Sequence, residues 1–153
     1  EIIMKKWIQE QKQFKDERGL TLVELLAVIV ILAIVATIAF VAIGNVMENS
    51  KKDALVSNAL QMIEAAKLYE ANGGTVGSSE VTISTLQDEE KNRVLEEIYG
   101  PWDKQKITSG GVKKEDGEYK VNLTTEDGAK LEDVTEEDLM GDESRSKVSG
   151  PTS

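Results

Sequence analysis

An unbroken apolar run constrains this chain more than any other feature. From Leu25 to Ile43 every residue is apolar except Thr37. At about 1.5 Å per residue, a helix over this run is nearly 30 Å long, about one hydrocarbon core. The direct reading is a membrane-spanning helix. The bland alternative is the core helix of a soluble domain. The rest of the chain is too polar to cover a helix that is apolar on every side. One residue breaks the apolar logic. Glu24 sits at the mouth of the run, and a carboxylate is costly to place in hydrocarbon. Its position needs a reason.

With 153 residues the chain has room for one modest core. It contains no cysteine and no histidine. Disulfides, thiol chemistry and the common Cys/His metal sites are therefore removed. So are Ser-His-Asp and Cys-His catalytic arrangements. The net charge is −10, and residues 1–19 are slightly basic, so the acidity lies beyond residue 19. An acidic body repels phosphate backbones, which disfavours direct nucleic-acid binding through a broad basic surface. Lys113-Lys114 reads as a solvated turn.

Residues 1–19 are polar and mixed in charge, and Met4 before Lys5-Lys6 has the look of a start. Lys5, Lys6, Lys12, Lys15 and Arg18 precede the apolar run, whereas only Lys51 and Lys52 come closely after it. The positive-inside bias then places the N-terminus in the cytoplasm and the C-terminal body outside. Gly44-Asn45 is a weak point in the helix but not a stop. Beyond it, Leu55, Ala59, Met62, Ala66 and Tyr69 recur at helical spacing, with Val56, Leu60 and Ile63 widening the stripe. This amphipathic stretch should pack on the chain's own sheet. Asn72-Gly73-Gly74 ends it. One helix is therefore expected from about Leu20 to Ala71.

Residues 75–84 read as loop with one short strand. Thr85-Leu86-Gln87-Asp88 resembles a capping box opening a helix to Ile98, with Val94, Leu95 and Ile98 inward. Tyr119, Val121 and Leu123 alternate between Asp116-Gly117 and Asp127-Gly128 turns, the pattern of a strand. Leu131 to Val134 makes the next, and Lys106-Ile107 with Val112 a weaker pair. The fold class is α+β: a long N-terminal helix, half transmembrane and half amphipathic, packed on a small antiparallel sheet. The expected organisation is a leader over 1–19, a spanning helix over 20–43, an amphipathic extension over 44–71, a small α+β part over 72–137 and a flexible Ser/Gly/Asp/Glu-rich tail over 138–153.

The run Arg18-Gly19-Leu20-Thr21-Leu22-Val23-Glu24-Leu25-Leu26 resembles the processing site of type IV prepilins and pseudopilins, and the likeness extends over about residues 12–70. The family pattern is a short basic leader ending in glycine, then an apolar residue, Thr, two apolar residues, Glu and a long apolar helix. Leu20 stands where family pilins usually have Phe. The resemblance implies that a membrane-embedded prepilin peptidase cuts between Gly19 and Leu20 and that the new amine on Leu20 is methylated. It also implies assembly into a helical filament with the apolar helix in its core. Glu24 would then pair with the Leu20 amine of a neighbouring subunit and set the register. The plainer alternative for Glu24 is a side chain that snorkels to the interface. Gly19 has a steric reading, close approach of a peptidase, and a plain one, a helix boundary. Thr21 has an assembly reading and a plain one, a helix cap. The pilin resemblance implies copies of itself, minor pilins, the peptidase, an inner-membrane assembly platform and membrane lipid as partners, with no cofactor. Many fibre-forming pilins have proline where this chain has Val41, which leaves room for a pseudopilin of a competence (DNA-uptake) or type II secretion system.

Other classes fare worse. The run could be a secretory signal, with Thr37-Ile38-Ala39 as its cleavage site, or a plain single-pass anchor. Neither requires Gly19 or Glu24. For an enzyme, the acidic pairs Glu96-Glu97 and Glu115-Asp116 are acid–base candidates, but neighbours on a helix do not face each other and those in a turn are usually solvated. Glu126-Asp127-Gly128 lacks the alternating oxygen ligands of a calcium loop.

Overall fold

The computed structural model describes the backbone of residues 2–152 and the side chains of residues 3–5 and 19–152. The chain divides into two units, Glu1–Val46 and Met47–Ser153. Helix α1, Ile2–Ala71, belongs to both. It begins earlier than expected because nothing in residues 2–19 stops it. Its Lys, Gln and Glu residues are good helix formers, and it holds no proline. The helix also runs unbroken through Gly44-Asn45. It ends as expected, with Gly73 at φ 97°. Gly73 N donates to Glu70 O at 3.0 Å and Gly74 N to Tyr69 O at 2.9 Å, the paired bonds of a Schellman motif.

In the first unit every described side chain is exposed. The second unit holds the core. The amphipathic half of α1 buries Leu55, Val56, Ala59, Met62, Ile63, Ala65 and Ala66. Leu60 and Tyr69 pack at its margins. Opposite them lie Val112, Val121, Leu123, Leu131 and Val134 of the sheet. Each large aliphatic side chain so buried contributes roughly 1.5–3 kcal/mol. This is the stripe-on-sheet packing that the helical spacing calls for.

The sheet has four strands in the order β1-β2-β3-β4, with every neighbouring pair antiparallel. The strands are β1 Val81–Thr82, β2 Ser109–Glu115, β3 Glu118–Thr124 and β4 Lys130–Thr135. Asp116 and Gly117 join β2 to β3 with φ of 51° and 83°. Two positive φ angles in a two-residue loop make the type I′ turn that matches strand twist. On β4 the register slips between Val121 and Leu123. Asp133, at φ 45°, supplies the extra residue. Asn122 clasps this bulge: its Oδ1 accepts from Asp133 N at 2.9 Å. The bulge lets Leu131 and Val134, three apart, both face the core.

Three segments differ from expectation. In place of a helix from Thr85 to Ile98 there is only α2, Ile83–Leu86. Its cap is Thr82, whose hydroxyl accepts from Thr85 N at 3.4 Å. Asp88 then caps a separate 3₁₀ turn over Glu89–Lys91, which Asn92 ends at φ 58°. Leu95 and Ile98 still point inward. Lys113-Lys114 lies within strand β2, ahead of the turn at Asp116-Gly117. The tail, finally, is not loose. A helix α3, Glu136–Met140, buries Leu139, and Thr135 caps it. Ser149 pairs with Lys130, extending the β4 edge, and Val148 is buried. Two apolar residues that reach the core anchor a segment whose composition alone suggests disorder.

Polar contacts fasten this segment and the 99–106 loop to α1. Arg145 Nε and Nη2 donate to the two oxygens of Asp53 at 2.7 and 2.8 Å. Trp102 Nε1 donates to Glu48 at 3.2 Å. Asn58 Nδ2 donates to Tyr99 O at 3.1 Å. The Arg145 hydrogen bond holds the Asp53 carboxyl below its ordinary range. A carboxyl lowered on folding adds stability above its unfolded value of about 3.9 and loses it as pH falls further. Thermal melts of the wild type and Arg145→Gln are therefore expected to differ at neutral pH and to draw together below about pH 4. A gap that persists unchanged to pH 2 would contradict this role.

Candidate functional site

Gly19, Leu20, Thr21 and Glu24 lie within α1, less than two turns apart. Leu20 and Glu24 are four residues apart and so share a face. All four are exposed, Leu20 at 63 %. Helix continues on both sides, so Gly19 is not a helix boundary and Thr21 is not a helix cap. A Cβ built on Gly19 would meet nothing within 4 Å. Packing among the described residues therefore does not require glycine there, although glycine in mid-helix costs about 1 kcal/mol relative to alanine. The basic side chains Lys6, Lys12, Lys15 and Arg18 of the leader lie outside the described residues.

The apolar stretch after Glu24 belongs to a helix long and apolar enough to cross a membrane, and none of that stretch is buried within the chain. Thr37, its single polar residue, donates its hydroxyl to Ala33 O at 2.8 Å. This back-bond satisfies a group that hydrocarbon cannot.

The body places the remaining candidates at its surface. Glu97 accepts from Lys106 at 2.8 Å and from Tyr99 at 2.9 Å. The Lys106 hydrogen bond, and then that from Tyr99, lower its carboxyl below the ordinary value. Glu96 lies 3.8 Å from Arg93. Glu115 bridges Lys113 and Lys120, and Asp116 occupies the hairpin turn. Asp127 accepts from the Thr125 hydroxyl. Lys113 pairs with Asp133 at 3.0 Å, and Lys114 sits 4.9 Å from the Tyr119 ring centre. Both lysines of that doublet are thus engaged inside the chain. Among the described residues, no three His, Cys, Asp or Glu side chains are grouped to hold a metal ion. A cavity of about 400 Å³ borders Lys67, Tyr119, Glu136 and Met140. Of its four charged lining residues, Lys67 and Glu136 are paired at 2.7 Å, and Glu118 and Glu137 are the other two.

Fold and site together define a class: an α+β chain with an exposed N-terminal apolar helix, in a pilin-like arrangement. Residues 14–40 match the family model of the prokaryotic N-terminal methylation motif. The chain thus carries the prepilin-type motif of type IV pilins and pseudopilins, structural proteins that are generally not enzymes. The match takes in Gly19, Leu20, Thr21 and Glu24 and stops short of the body. No curated protein and no solved structure matches the chain. The motif implies processing by a prepilin peptidase and filament assembly.

Proposed function

We propose that this chain is the structural subunit of a type IV pilus or pilus-like filament, cut between Gly19 and Leu20 and methylated on Leu20. It is then held in the membrane, N-terminus cytoplasmic, until assembly. The observation that carries this reading is the matched methylation motif, within which a mid-helix glycine meets no described neighbour. Peptidase access supplies a reason for glycine there that packing among the described residues does not. Glu24, four residues from the new amine, is the register device. In a filament core its carboxylate needs a cation, and the Leu20 amine of the next subunit provides it. Minor pilins and an inner-membrane platform are the remaining partners of this reading.

Mass spectrometry of the protein from its own cells tests the proposal. The expected N-terminal peptide begins at methylated Leu20. An intact leader in cells that have the peptidase would overturn the proposal in favour of a plain anchor. Glu24→Gln is expected to be processed normally yet to assemble poorly. An unpaired buried charge costs several kcal/mol, so sheared filament yield should fall at least about tenfold. The second reading, a competence or secretion pseudopilin, draws support from the unbroken helix through Val41 and Gly44.

A further inference from the structure

Between Met47 and Thr152 nine of the thirteen cations are spent on a carboxylate of the same chain. Lys67, Lys91, Arg93, Lys106, Lys113, Lys114, Lys120, Lys130 and Arg145 each have an acidic oxygen within 4.0 Å. Among the described residues of this unit, four lysines make no ion pair: Lys51, Lys52, Lys104 and Lys147. These four are not scattered. Lys51 and Lys52 lie on α1, just after the apolar stretch. Lys104 is two residues past Trp102, which is bonded to Glu48. Lys147 lies between Arg145, which grips Asp53, and Gly150, whose added Cβ would stand 4.0 Å from Glu48. All four thus belong to segments fixed against residues 48–53.

Three acids of those segments are engaged within the chain. Asp53 is held by Arg145, and Glu48 accepts from Trp102. Asp103 accepts from the backbone N–H groups of Gln105 and Asp127. Ile43 and Glu48 are five residues apart, so they are separated by at most about 18 Å whatever the backbone does. If the stretch ending at Ile43 spans the bilayer, Glu48 and the Trp102 loop bonded to it start within about 18 Å of the hydrocarbon boundary. Tryptophan and lysine are the side chains that favour that zone.

We infer that Lys51, Lys52, Lys104 and Lys147, with Trp102 beside them, form a binding surface for the phosphates of anionic phospholipid. The body of an otherwise acidic protein is thereby held down on the outer membrane face. This rests on the membrane-spanning reading of residues 20–43, and on neither processing nor assembly.

The probe is the full chain carrying Trp7→Phe, in which Trp102 is the remaining tryptophan. It is reconstituted at one copy per lipid nanodisc, with lipids brominated near the headgroup end of their acyl chains. Quenching of Trp102 is expected to be at least about twofold stronger with phosphatidylglycerol than with phosphatidylcholine, and to fade toward 1 M salt, where the screening length is about 3 Å. Replacing the four lysines together by glutamine should abolish the lipid preference. Because none of them pairs within the chain, the melting temperature should stay where it was, which separates lost contact from lost fold. Equal quenching in the two lipids, or a variant quenched like its parent, would overturn the inference. So would unquenched Trp102 in single-copy discs together with cross-links between Lys104 or Lys147 of two copies in two-copy discs, an outcome that assigns the surface to a second copy instead.

Discussion

Gly19→Val is expected to leave the chain uncut in cells that process the wild type. The membrane fraction should contain a single species that retains the segment ahead of Leu20, and no filaments should be recovered. A peptidase must bring its own groups against the backbone at the scissile bond, and a branched side chain obstructs that approach. The substitution should not disturb the chain itself. A side chain at this position enters open space, and valine is a better mid-helix residue than glycine by a few tenths of a kcal/mol. A block in processing therefore cannot be ascribed to misfolding. Intact mass and circular dichroism on the same sample check both halves. Normal cutting of the variant would remove the steric role assigned to Gly19.

The largest effect on stability is expected at Gly110. This residue pairs with Leu123 in the sheet and sits at φ 134°. A Cβ there would run into the carbonyl oxygen of Asn122 and come within 2.9 Å of Leu123 Cα. Both obstacles are backbone of the central strand β3, which is paired on its two sides and cannot step away. Strain of this kind costs about 1–3 kcal/mol for the backbone alone, and overpacking adds a similar amount. Gly110→Val should therefore lower stability by about 3 kcal/mol or more, read as a shift in the denaturant midpoint. Gly117→Ala is the contrast. It strains a positive φ but meets no neighbour, so the smaller loss is expected there.

Gly110 and its neighbour Gly111 also mark where sequence reading runs out. Strand β3 is legible because Val121 and Leu123 alternate with polar residues. The opening of β2, Ser109-Gly110-Gly111, carries no alternation, and its reason for being a strand is the close approach of β3 and β1 to a bare backbone. Leu131 and Val134 break the period of two, so the pattern names the strand but not its bulge. That bulge rests on Asn122, a residue of another strand. Tertiary contacts likewise rescue the 138–152 segment: Leu139 and Val148 are isolated apolar residues in a polar stretch, and only the completed core shows what they fill. The motif at 18–26 is legible for the opposite reason. Its spacing is local in the chain and residues 19–26 are all exposed, so no core has to be assembled before it can be read.

The bonds fastening the body to α1 have a mechanical consequence. Glu48, Asp53, Asn58, Lys67 and Glu70 each hold a residue far away in sequence: Trp102, Arg145, Tyr99, Glu136 and Tyr119. They are spread along about six turns of one helix, between which the buried stripe runs. A pull along the helix axis loads all of them in parallel, as shear. A sideways pull at one end would instead break them one after another. Tension carried lengthwise is thus shared across the whole seam between helix and sheet, and the body should tear free only at forces that defeat the entire row at once.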